Sequence, residues 1–235
     1  PLPPKTPEAL SVDFGSSVFL IRSGARVDRW RQALEMLEAD PIFRDAEVAT
    51  LARDGIEEDV IKLEARRLFR NLSSGHKIVL LTITRLVETV EEKTLVLLDE
   101  PEAHLHPPLL SAFVRSLSDL LINRNGVAVI ATHSPVVLQE VPKNCVWKIS
   151  RSGARIVAER PDIETFGENV GILTREIFGL EVTHSGFHKM LHDAVAEKRN
   201  YNAVIRHFDG ELGGEARAIV RGLLAVQTHV DEGNL

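Results

Sequence analysis

The sequence has little that would staple the chain or anchor it in a membrane. Its 235 residues include one cysteine, Cys145, so no disulfide can close within them. That suits a reducing compartment, and a cytoplasmic setting is the expectation. No apolar run approaches the ~18 residues of a membrane-spanning helix, and the longest candidate, Thr94 to Leu98, runs straight into acids. No membrane partner is therefore expected. Basic residues are outnumbered, with 28 Lys and Arg against 34 Asp and Glu, a formal charge of −6. This gives no global case for nucleic-acid binding. The local candidates are Arg66, Arg67 and Arg70 beside Lys77, and a solvated helix face explains them more simply. A phosphate-cradling G-x-x-x-x-G-K-[ST] loop is missing too: Gly15, Gly24 and Gly213-Gly214 lack the Lys-Ser/Thr that follows it. The first residue is Pro1, without a Met, which suggests a fragment or a processed chain.

What is present alternates between strand and helix patterns. Val12 to Ile21, with Val18-Phe19-Leu20-Ile21, predicts a strand. Asp28 to Glu38 predicts a helix with Trp30, Leu34 and Leu37 at helical spacing, and Ile56 to Arg70 another, its apolar side supplied by Ile61, Leu63, Leu68 and Phe69. After the break at Asn71 to Gly75, Val79, Ile83, Leu86 and Val90 mark the next helix. Thr94 to Leu98 and Val127 to Ala131 predict strands buried on both faces, separated by a helix opening at Pro107-Pro108. A hairpin is expected around Ser152-Gly153, and helices over 168–178, 187–198 and 215–226. The pattern implies a parallel α/β lobe over residues 1–160 and a helical extension over 161–235.

Three segments carry chemistry. Leu95 to Leu98 is followed by Asp99-Glu100-Pro101, which puts two acids at the carboxyl end of a buried strand, where open α/β sheets bind ligands. Asp99 can hold a hydrated Mg²⁺, and Glu100 can orient or deprotonate an attacking water. Thr132-His133 ends the next strand, and His133 can bond a γ-phosphate. A lone pair of loop acids or a strand-end histidine is commonly structural, but parallel strands would place both sites on one edge. Leu72-Ser73-Ser74-Gly75-His76-Lys77 sits at a helix N-terminus, where small residues let an anion approach the backbone. Alone, that would read as a serine cap with a turn glycine.

In order and spacing these segments resemble the ATP-binding-cassette ATPases. Leu72 to His76 is similar to their signature motif, with Ser74 and His76 departing from the commonest Gly and Gln. Leu95 to Glu100 is similar to Walker B with its catalytic Glu, and Thr132-His133 to the switch region. The run Asp-Glu-Pro-Glu-Ala-His-Leu-His-Pro over 99–107, with Ala-Thr-His-Ser-Pro over 131–135, resembles the branch holding the RecF-like, overcoming-lysogenization-defect and prokaryotic defence ATPases, including Septu-type systems. The resemblance covers about residues 60–150 and implies a P-loop NTPase lobe that pairs with a second ATPase head. Each ATP would then lie between the Walker loops of one head and Ser73, Ser74 and Gly75 of the other. It further implies Asp99 toward Mg²⁺, Glu100 as the group activating water, His133 on the γ-phosphate, and His106 in the D-loop place. The activity implied is ATP hydrolysis gating an effector in DNA maintenance or antiphage defence, such as an HNH nuclease. The absent Walker A loop puts that activity on a longer chain or a complex.

Two other readings come from different classes. One is a cassette-fold scaffold that does not hydrolyse ATP. The other is an ATPase–nuclease of the overcoming-lysogenization-defect type, disfavoured because Asp209 and Glu211 do not make its Asp-x-Asp pattern. His184, His188 and His192 are spaced by four, but Gly186 is expected to break their helix, and no metal site is expected there. Ile172, Ile177, Phe178, Leu180 and Val182 form an apolar cluster suited to packing or to docking a partner.

Overall fold

The computed structural model describes residues 5–53, 55–178 and 186–232. The chain divides into two compact units. The first runs up to Val146 and includes Thr165–Gly167; the second comprises Trp147–Glu164 and the residues from Glu168 onward.

The first unit opens with helix α1, Pro7–Ile21, where the sequence reading expected a strand over Val12 to Ile21. Thr6 caps it by accepting the Ala9 N–H, and Pro7 takes the first turn, where its missing N–H costs nothing. Phe14, Val18 and Ile21 recur at i, i+4 and i+7 and are fully buried, while Leu20 is exposed. This spacing, rather than the short apolar run, decided the element. Helix α2 (Ala25–Leu37), the short α3 (Pro41–Ala46), α4 (Glu58–Asn71) and α5 (Ser74–Thr89) follow. On α4 the buried face is Ile61, Ala65 and Phe69, and Leu63, expected on that face, is exposed. Phe14 stacks on Phe69 with ring centroids 4.9 Å apart, joining α1 to α4. Two buried polar bonds fix the packing: Trp30 Nε1 donates to Thr84 Oγ1 at 3.0 Å, and Ser116 Oγ donates to the Ala33 carbonyl at 3.0 Å. Each leaves no unpaired donor in the apolar interior.

Strand β1 (Leu95–Asp99), helix α6 (Pro107–Ile122), strand β2 (Val127–Ala131) and helix α7 (Pro135–Gln139) complete this unit. β1 and β2 pair in parallel, with Leu95 opposite Val127 and Asp99 opposite Ala131. The strands were expected to be buried on both faces; they are covered on one. Val96 is buried, and Leu98, Ala128 and Ile130 pack against the core. On the other face Leu95, Leu97, Val127 and Val129 are 59%, 71%, 60% and 55% exposed. The physical reason is coverage: among the described residues these two strands form the whole parallel sheet, and the unit's core lies mainly between helices.

The second unit contains an antiparallel hairpin of β3 (Lys148–Ser152) and β4 (Arg155–Glu159), turned at Gly153, whose φ of 60° suits glycine. Helices α8 (Val170–Phe178), α9 (Gly186–Lys198), α10 (Tyr201–His207) and α11 (Gly214–Glu232) follow. Leu191, Ala194, Val195, Val204 and Val220 form the core of α9, α10 and α11. The seven-residue α10, capped by Asn200, was not expected from the sequence. Of the other features singled out there, His184, Leu180 and Val182 lie outside the described residues, as does the Phe178 side chain. No helix of the described residues is long and apolar enough to cross a membrane.

Candidate functional site

Because β1 and β2 run parallel and in register, their carboxyl ends reach the same edge. Glu100 N–H donates to the Ala131 carbonyl at 2.8 Å, extending the ladder one residue past Asp99. Glu100 then turns off the strand in the left-handed region, at φ 44°, a conformation that costs a non-glycine residue ~1 kcal/mol or more. Asp99 and Glu100 are both exposed. The His133 ring reaches the same place, with Nε2 3.5 Å from Glu100 Oε1. The structure thus brings together the acid pair and the histidine that the sequence separates by a helix and a strand.

Glu102, not singled out in the sequence, holds this arrangement. Its Oε1 accepts from Thr132 Oγ1 at 2.9 Å and from the His133 N–H at 2.7 Å. One carboxylate on the loop after β1 therefore fixes the segment after β2. Its Oε2 is buried and has no hydrogen-bond partner among the described residues. The signal for Glu102 was its place in Asp-Glu-Pro-Glu, but nothing in a sequence says which backbone N–H it meets. Truncation by Glu102→Ala should free the His133 segment. We expect a loss of about 1.5–3 kcal/mol of stability, the usual worth of hydrogen bonds to a charged group, read as a drop in the urea midpoint.

A second group of residues gathers at the N-termini of α5 and α6. Ser73 caps α5: its Oγ accepts the His76 N–H at 3.4 Å and lies 2.6 Å from His76 Nδ1. Ser73 and Ser74 are exposed, while Gly75 is buried. A Cβ on Gly75 would sit 2.6 Å from the His104 carbonyl oxygen, so glycine is required there by the close approach of the 102–106 loop. Ser74 and Gly75 N–H groups belong to the first turn, where a helix offers no carbonyl to bond them. His106 caps α6, its Nδ1 accepting from the Leu109 N–H at 3.4 Å.

Between the two helices lies Asp40, the N-cap of α3, which accepts from the Ile42 N–H at 2.8 Å and the Phe43 N–H at 3.4 Å. Its Oδ1 is also 3.0 Å from His76 Nε2, and its Oδ2 is 3.4 Å from His106 Nε2. Burial pushes the Asp40 carboxyl up. The His76 bond, the two backbone N–H bonds and the His76 charge outweigh that and leave it below the usual carboxylate range. Among the described residues, Asp40, His76 and His106 are the group whose ligand atoms lie close enough together, within 4.8 Å of one another, to hold a metal ion. The expected basic group, Arg66, Arg67 and Arg70, lies on α4, with Arg67 and Arg70 exposed.

The donor set at the strand edge suits the chemistry its pattern suggests. Asp99 offers a hard oxygen to Mg²⁺, Glu100 a carboxylate within reach of the His133 ring, and the first turn of α5 offers N–H groups and hydroxyls to an anion. The chain is 50% identical over 218 residues to Protein ea59 of Escherichia phage lambda, an alignment covering 85% of this chain and 42% of that protein. The chain thus spans less than half the length of that relative. Residues 13–139 match the family described as "AAA domain, putative AbiEii toxin, Type IV TA system". They take in both strands, the acid pair, His133 and the α5 and α6 N-termini, and with more than half of its length inside that match the chain belongs to this family of AAA-type, P-loop NTPase domains.

Proposed function

We propose that this chain is the signature and Walker B portion of an ATPase that hydrolyses ATP between two heads. The observation that carries the reading is the meeting of Glu100 and His133 at 3.5 Å on the carboxyl edge of a parallel strand pair. Asp99 would hold Mg²⁺, which when bound neutralises phosphate charge and orients the phosphates. Glu100 orients the attacking water and takes its proton as the water adds to the γ-phosphorus and the bond from that phosphorus to the β–γ bridging oxygen breaks, ADP leaving with the electron pair. His133, kept in place through its backbone by Glu102, donates a hydrogen bond to a γ-phosphate oxygen. Ser73, Ser74 and the first-turn N–H groups of α5, with His106 at the start of α6, face the ATP held by the partner head. The Walker A loop would come from a segment outside these residues. ATP then joins the heads, and hydrolysis releases them.

The exposed face of β1 and β2 supports a larger lobe. Four aliphatic side chains in two adjacent rows make an apolar face that water does not favour. We place the rest of the ATPase lobe on it. Leu97→Asp should therefore be nearly neutral in the 235-residue chain but cost more than about 3 kcal/mol in the longer protein, as burial of an unpaired charge does. Equal, small shifts in melting temperature for both forms would refute that placement.

The effector reading extends the same proposal. A head that pairs with ATP and parts on hydrolysis can gate a second protein, such as an HNH nuclease, in DNA maintenance or antiphage defence. The family's description as a putative toxin of a type IV TA system agrees with an effector role rather than transport. ATP turnover by the longest natural form, measured beside Glu100→Gln, tests the ATPase reading. A non-hydrolysing scaffold is the outcome if the natural form neither binds nor turns over ATP.

A further inference from the structure

Asp40 poses a problem that capping α3 does not solve. A Ser, Thr or Asn would cap a helix as well without placing a charge in the interior. Asp40 is 5% exposed, and burying a carboxylate is costly unless it is paired. Among the described residues neither Lys nor Arg pairs with it; its ion-pair contacts are His76 and His106. These histidines belong to different helices, and each is tied to the N-terminal turn of its own. His76 lies 2.6 Å from the Ser73 hydroxyl, and His106 is itself the cap of α6. One buried carboxylate thus ties the starts of α5 and α6 together. A second contact joins the same two segments, since the missing Cβ of Gly75 lets the His104 carbonyl in close.

We propose that Asp40 is a positioning residue for ATP-dependent pairing, a carboxylate that fixes Ser73, through His76, and His106 relative to each other on the face presented to the partner's ATP. This rests on the ATPase reading above and deepens it. Asp40→Asn would keep an oxygen to cap α3 but remove the carboxylate that meets both rings, at 3.0 and 3.4 Å.

The experiment uses the longest natural form carrying Glu100→Gln, so that hydrolysis does not undo pairing. Pairing is followed by sedimentation across ATP concentrations, and ATP binding by single heads with a fluorescent ATP analogue under dilute conditions. Asp40→Asn should shift the ATP-dependent pairing midpoint at least tenfold while leaving single-head affinity within twofold and the melting temperature within a few degrees. His76→Asn, whose shorter side chain gives up the reach to Asp40 and which is the fallback if Asp40→Asn does not fold, should give the same selective loss. The double variant should be no worse than the more affected single, because both break one link. Normal pairing by both single variants, equal loss of single-head binding and pairing, or additive losses in the double variant would each overturn the proposal. Stoichiometric Zn²⁺ in the purified protein, with pairing abolished by EDTA and restored by Zn²⁺, would overturn it in favour of a metal site on the same three side chains. If the parent neither binds ATP nor pairs, the ATPase reading fails and takes this proposal with it; a pairing parent beside an equally competent Asp40→Asn variant sinks this proposal alone.

Discussion

Glu100→Gln should lower ATP turnover by the longest natural form on the order of 10²–10⁴-fold, the usual contribution of a positioned general base, while ATP binding persists. That is about 3–5 kcal/mol of transition-state stabilisation. The substitution is nearly isosteric, and Glu100 is exposed at the strand edge, so folding should be unaffected. The amide oxygen can still accept from His133, which lies 3.5 Å from Oε1 in the parent. What is lost is the ability to take a proton and one negative charge beside a polyanion. Removing that charge should leave ATP affinity equal or tighter, so the paired heads accumulate. The measurement is single-turnover phosphate release beside ATP binding and sedimentation. Undiminished turnover would move the base elsewhere, with Glu102 next in line. Loss of binding and turnover together would mean that Glu100 serves the fold.

The strand-edge half of this site was legible in the sequence because it obeys local rules. An aliphatic run ending in Asp99-Glu100 and another ending in Thr132-His133 can be read as strands, and a helix between them implies parallel pairing. The structure adds the register, Asp99 opposite Ala131, which lets Glu100 and His133 meet. Of the α5–α6 half, the residues of Ser73 to Gly75 and His106 were legible through their resemblance to the signature and D-loop segments, but not what joins them. Its organising residue, Asp40, lies in an ordinary Asp-Pro start of a short helix, and no spacing rule links residue 40 to residues 76 and 106. The error at α1 has a related cause. Val18 to Ile21 looks like a strand locally, and only the partner surface of α4, with Phe69 under Phe14, selects the helical face. The exposed face of β1 and β2 shows the converse: an apolar run predicts burial, yet Leu95, Leu97, Val127 and Val129 lie open because only one side of the strand pair is packed.

Gly75→Ala should have the second largest effect, and it separates two reasons for a glycine in a signature segment. If the glycine only lets a phosphate approach, alanine would weaken ATP-dependent pairing and leave stability unchanged, because α5 is helical at this position and alanine favours helix over glycine. The structure gives another reason. The added Cβ would lie 2.6 Å from the His104 carbonyl oxygen and 3.3 Å from Leu105 Cδ2. A backbone carbonyl cannot swing aside as a side chain can. Either α5 or the loop over 102–106 must move, at the ~1–3 kcal/mol that overpacking costs. That loop carries Glu102, which holds Thr132 and His133, and it leads into His106. One methyl group should therefore lower the melting temperature and disturb both the strand edge and the α6 cap. We expect ATP turnover in the longest natural form to fall at least tenfold, with native-state hydrogen exchange rising at the His133 amide, which no contact with Gly75 would explain. Unchanged exchange at His133 beside lost pairing would assign Gly75 to the phosphate alone, and the packing of α5 on the loop would then be incidental to the site.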